Sequence, residues 1–395
     1  MTGDSLRRLF NAQYLPENYQ RFLAMVDERC GTHVPFRLCE TPCFFDSDFM
    51  QRLSREGREL IDQLVDNPEY RRISDASLPP QYKVPNEPHE AMFVQVDFGV
   101  VRGADGLLHP KLVEIQGFPS LYAFQPVLAQ SYVDAHGLPG GLHYLLDGLT
   151  NDEYERVMRD AIVAGHDPEQ VILLEVDPQH QKTLCDFLMT ERTLGVRAVC
   201  ITKLKKRGSK LYYLRDGREV EIRRIYNRAI IDEIERRGIT VPFDWRDELD
   251  VEWAGHPNFY FRVSKFSIPY LTHPSVPRTI FLDRVTEMPG DLSKWVLKPL
   301  YSFAGLGVVI GPTRAEVDAI PAGQRSGFIL QERVEFAPVV ETPHGLTKAE
   351  IRVMYINRRP VTHIIRMGRG KMMGVDHNRS MEWVGASAAL YHEDS

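Results

Sequence analysis

The chain has 395 residues, 43% hydrophobic and 26% charged, so it is long enough to bury the cores of two or three domains. Its formal net charge of −6 argues against nucleic-acid and membrane-surface partners, because both attract proteins with a positive field. The sequence shows neither a membrane-span window nor a secretory signal, and its five cysteines are too few for a disulfide framework, so we expect a cytoplasmic protein.

The first region, residues 1–90, is predicted to be mostly helical. Asp46 and Ser47 can cap a helix whose apolar residues recur at helical spacing as far as Leu64. Four prolines between residues 77 and 88 predict a loop before the next region.

The second region, residues 91–165, opens with alternating strands over 93–98 and 112–116. The segment Gly103–Gly106 between them is a hairpin signal. Pro110 predicts that the returning strand lies at a sheet edge or is bulged.

This hairpin carries the first candidate site. If Asp105 and Gly106 form a two-residue turn, Glu114 faces Asp97, and Gln116 shares their face of the sheet. Neighbouring carboxylates repel unless a cation lies between them, and Mg²⁺ accepts such oxygen ligands. Geometry alone leaves an exposed polar sheet face as the alternative.

The third region, residues 166–245, predicts an α/β unit. A buried strand over Val171–Leu174, a helical stretch and a strand near 195–199 form a β-α-β pattern. A further hairpin is predicted to turn at Asp216 and Gly217.

The last region, residues 246–395, predicts mixed α+β structure. We expect a helix near 314–320 and the strands 295–298, 308–310, 328–331, 351–355 and 361–366.

Lys298 ends an apolar strand, and Gly305 and Gly307 follow in a small-residue loop. The glycines allow close backbone approach to phosphate oxygens, and the lysine supplies a positive charge. This loop is no Walker motif, and a plain hairpin turn is the alternative. The segment 328–334 can offer backbone groups to an adenine edge, or it is a core strand.

Together these features resemble the ATP-grasp superfamily. Because the Glu-x-Gln motif comes early and the lysine loop late, they resemble the permuted branch that contains glutathionylspermidine synthetase and eukaryotic-type glutathione synthetase. The resemblance runs from about residue 93 to 390 as short islands. It implies an α+β / α/β fold, an ATP-grasp architecture with an inserted Rossmann-like α/β subdomain.

The resemblance also implies a role for individual residues. It places Mg²⁺ on Asp97, Glu114 and Gln116. It places ATP on Lys265, Lys298, Ser302, Gly305, Gly307, Gln331, Glu332, Val334 and Glu350. It assigns substrate binding to Arg228, Arg369 and Lys371, and catalysis to Arg228, Arg352 and Arg366. For Arg228 a structural salt bridge stays an equal alternative.

The implied function is an ATP-dependent carboxylate–amine ligase that converts a small acid to an acyl phosphate, with small-molecule acid and amine substrates. The alternatives are a nucleotide-binding relative without ligase activity and a phosphotransferase. The first alternative is favoured by Ser302, which stands where glutathione synthetases have a glutamate ligand. Gln116, in place of asparagine, and Gln95, in place of an arginine beside the γ-phosphate, favour it too.

Overall fold

A computed structural model of the chain describes residues 2–302, 305–375 and 380–392, apart from the side chain of Asp232. The helices are α1 Gly3–Gln13, α2 Pro16–Cys30, α3 Ser47–Val65, α4 Pro68–Ser74, α5 Phe124–His136, α6 Asn151–Ile162, α7 Leu184–Leu194, α8 Ile231–Arg236, α9 Phe259–Arg262 and α10 Arg314–Asp318. The strands are β1 Cys43–Phe44, β2 Phe93–Arg102, β3 Leu108–Gln116, β4 Val171–Glu175, β5 Arg197–Cys200, β6 Lys205–Arg207, β7 Lys210–Arg215, β8 Arg218–Ile222, β9 Arg224–Asn227, β10 Glu252–Ala254, β11 Thr279–Phe281, β12 Trp295–Pro299, β13 Val309–Ile310, β14 Phe328–Glu332, β15 Pro338–Thr342, β16 Gly345–Ile356, β17 Arg359–Gly368, β18 Gly385–Ser387 and β19 Ala389–Leu390.

A six-stranded sheet forms the floor of the cavity described below. Its order is β18-β17-β16-β2-β3, and β15 pairs with β16 off this path. Val96 and Val353 belong to the apolar cluster that also holds Leu53 and Leu60 of α3, so one face of the sheet packs on that helix. Because side chains alternate along a strand, the polar residues between them point to the opposite face.

The β2–β3 hairpin has the predicted pairing but not the predicted turn. Arg102 pairs with Leu108, so a loop over 103–107 replaces the two-residue turn, with the Gly103 amide donating to the Leu107 carbonyl at 2.9 Å. This longer loop would place Val113 opposite Asp97. A β-bulge at Val113 shifts the register by one residue and brings Glu114 opposite Asp97.

A separate parallel sheet confirms the predicted β-α-β unit. Its order is β10-β9-β4-β5, and α7 connects β4 to β5. The neighbouring β6-β7-β8 sheet contains the second predicted hairpin, in which Arg215 pairs with Arg218 around Asp216 and Gly217. Here the two-residue turn is confirmed.

A four-stranded antiparallel sheet of order β11-β14-β12-β13 forms a further wall of the cavity. The predicted strands of the last region are confirmed as β12, β13, β14, β16 and β17, and the predicted helix as α10. Within the described ranges, no helix has the length and hydropathy that a membrane crossing requires.

Candidate active site

One cavity of about 510 Å³ is bordered by residues of the six-stranded sheet, the parallel sheet and the β11-β14-β12-β13 sheet. It is lined by most of the predicted site residues, namely Asp97, Glu114, Gln116, Arg228, Lys265, Lys298, Ser302, Gly305, Gln331, Glu332, Val334, Glu350, Arg352, Arg366 and Lys371. Two predicted residues lie off its wall. Arg369 donates to the Glu382 carbonyl at 3.0 Å, and Gly307 packs beside Pro299.

A strip of paired charges crosses the cavity face of the six-stranded sheet. The antiparallel register places Arg352 opposite Asp97 and Arg366 opposite Glu350. Arg352 donates to both carboxylate oxygens of Asp97, at 2.5 and 2.6 Å, and Arg366 donates to Asp97 at 3.0 Å and also to Glu350. Burial favours a neutral Asp97, but the two guanidinium groups outweigh it and lower the pKa of Asp97 to about 2. Asp97 and the two arginines are therefore charged and held in place before any ligand arrives, whereas burial raises the pKa of Glu350.

Two buried lysines stand at the β3 edge of this strip. The Lys265 ammonium donates to Glu114 at 2.8 Å and to the Ser302 carbonyl at 3.0 Å. The Lys298 ammonium donates to Gln331 at 2.6 Å and to the carbonyl of Val113 at 2.8 Å. The residue that forms the bulge thus also holds Lys298. Burial lowers the pKa of Lys298 to about 8, although the charge of Glu114 opposes that shift.

The oxygen donors predicted for Mg²⁺ lie on one face, but cations already contact the two carboxylates. Asp97 and Glu114 pair directly across the hairpin, as predicted. Both oxygens of Asp97 accept from arginines, whereas the Glu114 side chain pairs with Lys265 and stays 28% exposed. The Gln116 amide lies 2.6 Å from the Gln95 amide oxygen. Among the described residues, no group of three or more histidine, cysteine, aspartate or glutamate side chains is arranged to hold a metal. The donor chemistry suits Mg²⁺, and Glu114 is more accessible than Asp97, whose side chain is 4% exposed.

The segment after β14 runs across the sheet beside the lysines. The amides of Glu332 and Arg333 donate to the carbonyls of Arg278 and Lys294, each at 2.8 Å. Val334 and Phe336 lie over Gly99 of β2, where a Cβ atom would approach each to 2.8 Å. Glycine at this position therefore lets the segment lie directly on the sheet.

A second group of polar residues surrounds the carboxyl ends of the parallel strands. Glu175 ends β4, and Arg228 follows the neighbouring strand β9. Because β5 lies on one side of β4 and β9 on the other, the order of the strands reverses between β4 and β9. Ligands of open α/β sheets commonly bind in such a crevice. Burial raises the pKa of Glu175 to about 7, although the charge of Arg228 opposes the shift. Glu175 was missed by sequence reasoning, and its position at the carboxyl end of a buried parallel strand is the signal that finds it.

Arg228 holds the segment that follows the hairpin. Its guanidinium lies 5.1 Å from the centre of the Phe118 ring and 5.5 Å from that of Phe187, donates to the Pro119 carbonyl, and lies 3.5 Å from Thr183 Oγ1. These contacts favour a positioning role, while its place on the cavity wall keeps the predicted substrate role open.

Asp186 of α7 fixes the same segment from the other side. Its buried carboxylate accepts from the amides of Leu121, Ala123 and Phe124, at 3.2, 2.9 and 3.1 Å. The carboxylate thereby satisfies amides at the start of α5. Sequence reasoning missed this contact, because nothing local to α7 indicates a partner 62 residues earlier in the chain.

A solved glutathione synthetase-like effector from Globodera pallida, in its apo form, matches this structure with a TM-score of 0.56 at 13% sequence identity. The match covers 96% of this chain and 100% of that one. No protein-family model and no curated protein sequence matches the chain. The shared architecture shows a mixed α/β, glutathione synthetase-like fold, in part as the resemblance implied.

Proposed function

We propose that this protein is an ATP-dependent ligase that joins a small carboxylic acid to an amine through an acyl phosphate. The observation that carries the proposal is the convergence of two buried lysines, a carboxylate hairpin and an arginine pair on one cavity. The glutathione synthetase-like fold supports it, because it agrees with the resemblance to ATP-grasp ligases that the sequence motifs indicate.

The nucleotide is proposed to lie at the β3 edge of the floor. Lys265 and Lys298 would neutralise its phosphates, with Ser302 and Gly305 on the same cavity wall, whereas Gly307 would have to move to reach them. Since the amides of Glu332 and Arg333 are already bonded, the base would meet the carbonyl of Glu332 and the amide of Val334. The cavity-lining side chains of Gln331 and Glu350 would complete the nucleoside site.

Mg²⁺ would be held by Glu114 and Gln116, with Asp97 as the further predicted ligand. When bound, the ion would neutralise phosphate charge and align the γ-phosphoryl group. Glu114 would exchange its contact with Lys265 for the ion, and Lys265 would then be free to contact phosphate.

The proposed reaction has two steps. A carboxylate oxygen of the acid attacks the γ-phosphorus, the bond to the β-phosphate oxygen breaks, and ADP leaves. The amine nitrogen then attacks the acyl carbon, the bond to the phosphoryl oxygen breaks, and inorganic phosphate and a proton leave. Arg352 and Arg366, already oriented by Asp97 and Glu350, would stabilise the charge on the transferring group.

The acid and the amine are proposed to occupy the remaining cavity between the strip and the parallel-sheet crevice. Lys371, on the cavity wall, is a proposed substrate contact there. Arg228 would act mainly by positioning the Phe118 segment. Because Arg369 bonds to Glu382 and Thr342, its predicted substrate role requires these contacts to break.

Hydroxylamine tests the proposal without knowledge of the amine, because it converts an acyl phosphate to a stable hydroxamate. We expect acid-dependent release of ADP and an equal amount of hydroxamate, identified by mass. A product that gains phosphate without losing water would identify a phosphotransferase instead.

A nucleotide-binding protein without ligase activity is the second candidate. The engagement of both Asp97 oxygens by arginines favours it, since a metal must displace them to bind there. Positional isotope exchange in ATP, measured with the acid present, separates the two candidates. Exchange indicates reversible acyl-phosphate formation, and tight ATP binding without exchange indicates the binding protein.

A further inference from the structure

The end of the cavity opposite the lysines is apolar. Phe36, Leu121, Ile364, Val375 and Ala386 all border the cavity. They also belong to, or pack against, one hydrophobic cluster, so they form a continuous apolar surface rather than scattered contacts. These five residues are called the apolar end below.

The apolar end begins where the charged strip ends. Ile364 is the cross-strand partner of Arg352 and lies two residues before Arg366 on β17. Ala386 is the cross-strand partner of Arg366. Paired residues share a face, so the two guanidinium groups and the apolar side chains form neighbouring parts of one wall.

The apolar end is distinct from the place proposed for the nucleotide base. Lys298 contacts β3 at one edge of the sheet, whereas Ile364 and Ala386 lie on β17 and β18 at the other. With strands roughly 4.8 Å apart, β3 and β17 are separated by about 14 Å. Val296 and Ile310, apolar residues on the Lys298 side, belong to the other antiparallel sheet.

The strained backbone of Leu121 is a second observation, independent of the apolar surface, that points to a ligand site at the apolar end. Leu121 has a φ of +64°, in the left-handed region where glycine or asparagine is favoured and leucine is strained. Asp186 bonds the Leu121 amide and holds it there. Such strain persists where the surrounding structure enforces it, often at ligand sites, and here it places an apolar side chain on the cavity wall.

We infer that the acid taken by this protein carries an apolar substituent. Its carboxylate lies toward Arg352 and Arg366, and its apolar group contacts the apolar end. This inference rests on the proposed function for the identity of the carboxylate as the reacting group. A hydrophilic acid of equal size would leave its polar group without a partner at the apolar end, which lowers affinity.

Two acids of equal heavy-atom count, 4-methylpentanoate and succinamate, differ only in whether the branched end is apolar or an amide. Their binding is measured by titration calorimetry with Mg²⁺ and a non-hydrolysable ATP analogue, whose own binding is measured first. We expect 4-methylpentanoate to bind at least ~10-fold more tightly. Equal affinity, or binding of neither acid, overturns the inference. Absence of nucleotide binding instead counts against the proposed function.

Leu121→Asn tests the strained residue directly. Asparagine has nearly the same shape and tolerates the left-handed conformation, which offsets part of the apolar contact that it loses. We therefore expect a folded variant with a roughly ten-fold loss of the preference for 4-methylpentanoate. Leu214→Asn is the matched control, because Leu214 is an exposed residue of β7 and its substitution should leave the preference unchanged. A full preference in Leu121→Asn overturns the role of the apolar end.

Discussion

Two buried carboxylates on the walls of the same cavity behave in opposite ways. Asp97 bonds two arginines, and its pKa falls to about 2. Glu175 accepts from the amide of Val176 at 2.7 Å and lies in the field of Arg228, yet burial raises its pKa to about 7. Burial alone would raise both values, so the number and geometry of the cationic partners decide the charge state. The strip is built around fixed charges, and the crevice holds a group that titrates near neutrality.

The largest expected effect comes from breaking the strip. Asp97→Asn leaves two largely buried guanidinium groups with a weaker partner, so we expect a loss of roughly 4 kcal/mol in the free energy of unfolding. Urea denaturation at pH 7 measures it. The control is Asp318→Asn, which removes an exposed partner of Arg314 and should change stability by no more than about 0.5 kcal/mol. Equal effects of the two substitutions would show that the strip is not preorganised.

In the crevice, removal of a carboxylate should increase the free energy of unfolding rather than decrease it. Glu175 has a higher pKa in the folded chain than in the unfolded one, so the folded state binds the extra proton and loses stability as pH rises from about 4.5 to about 7. Glu175→Gln removes this penalty. We expect the variant to be about 3 kcal/mol more stable than the wild type at pH 8 and nearly equal at pH 4. Denaturation curves at both pH values test this, and a pH-independent difference would contradict it.

Asp186 sharpens the comparison, because its buried carboxylate accepts hydrogen bonds from backbone amides rather than from a bidentate guanidinium, and burial raises its pKa. Asp186→Asn keeps the shape but replaces one acceptor oxygen with a donor that faces an amide. Because one oxygen accepts from both Ala123 and Phe124, the new donor is expected to face the Leu121 amide. We expect a loss of about 2 kcal/mol in unfolding free energy and faster hydrogen exchange at Leu121. Unchanged exchange at this amide would show that the carboxylate does not hold the segment.

The sequence indicated strands, helices and the Asp97–Glu114 pairing because these depend on local periodicity and turn signals. The limits of prediction from the sequence appear in the two Asp-Gly turns. Asp216 and Gly217 form the predicted turn, whereas Asp105 and Gly106 lie in a longer loop that the bulge at Val113 compensates. Pro110 correctly indicated that β3 lies at a sheet edge, but the local pattern gave neither the longer loop nor the position of the bulge, and the correct pairing arose from two deviations that cancel.

The charged strip and the apolar end could not be predicted, because they depend on pairing between distant segments. Arg352 reaches Asp97 across 255 positions of sequence, through the pairing of β16 with β2. Leu121 gives no sequence signal of its left-handed backbone, since leucine is not favoured there. By contrast, Glu175 could have been found from the rule that ligands bind at the carboxyl ends of parallel strands.

The measurement that tests the central claim most directly is calorimetric titration of ATP into the wild type, Lys298→Met and Lys294→Met. Methionine keeps the apolar stem of the buried Lys298 and removes its charge, while Lys294 is an exposed lysine of the same segment and serves as the control. We predict that the wild type and Lys294→Met bind ATP alike, and that Lys298→Met, folded by circular dichroism, binds roughly 100-fold more weakly. Equal binding by all three proteins, or no binding by the wild type, would contradict the account.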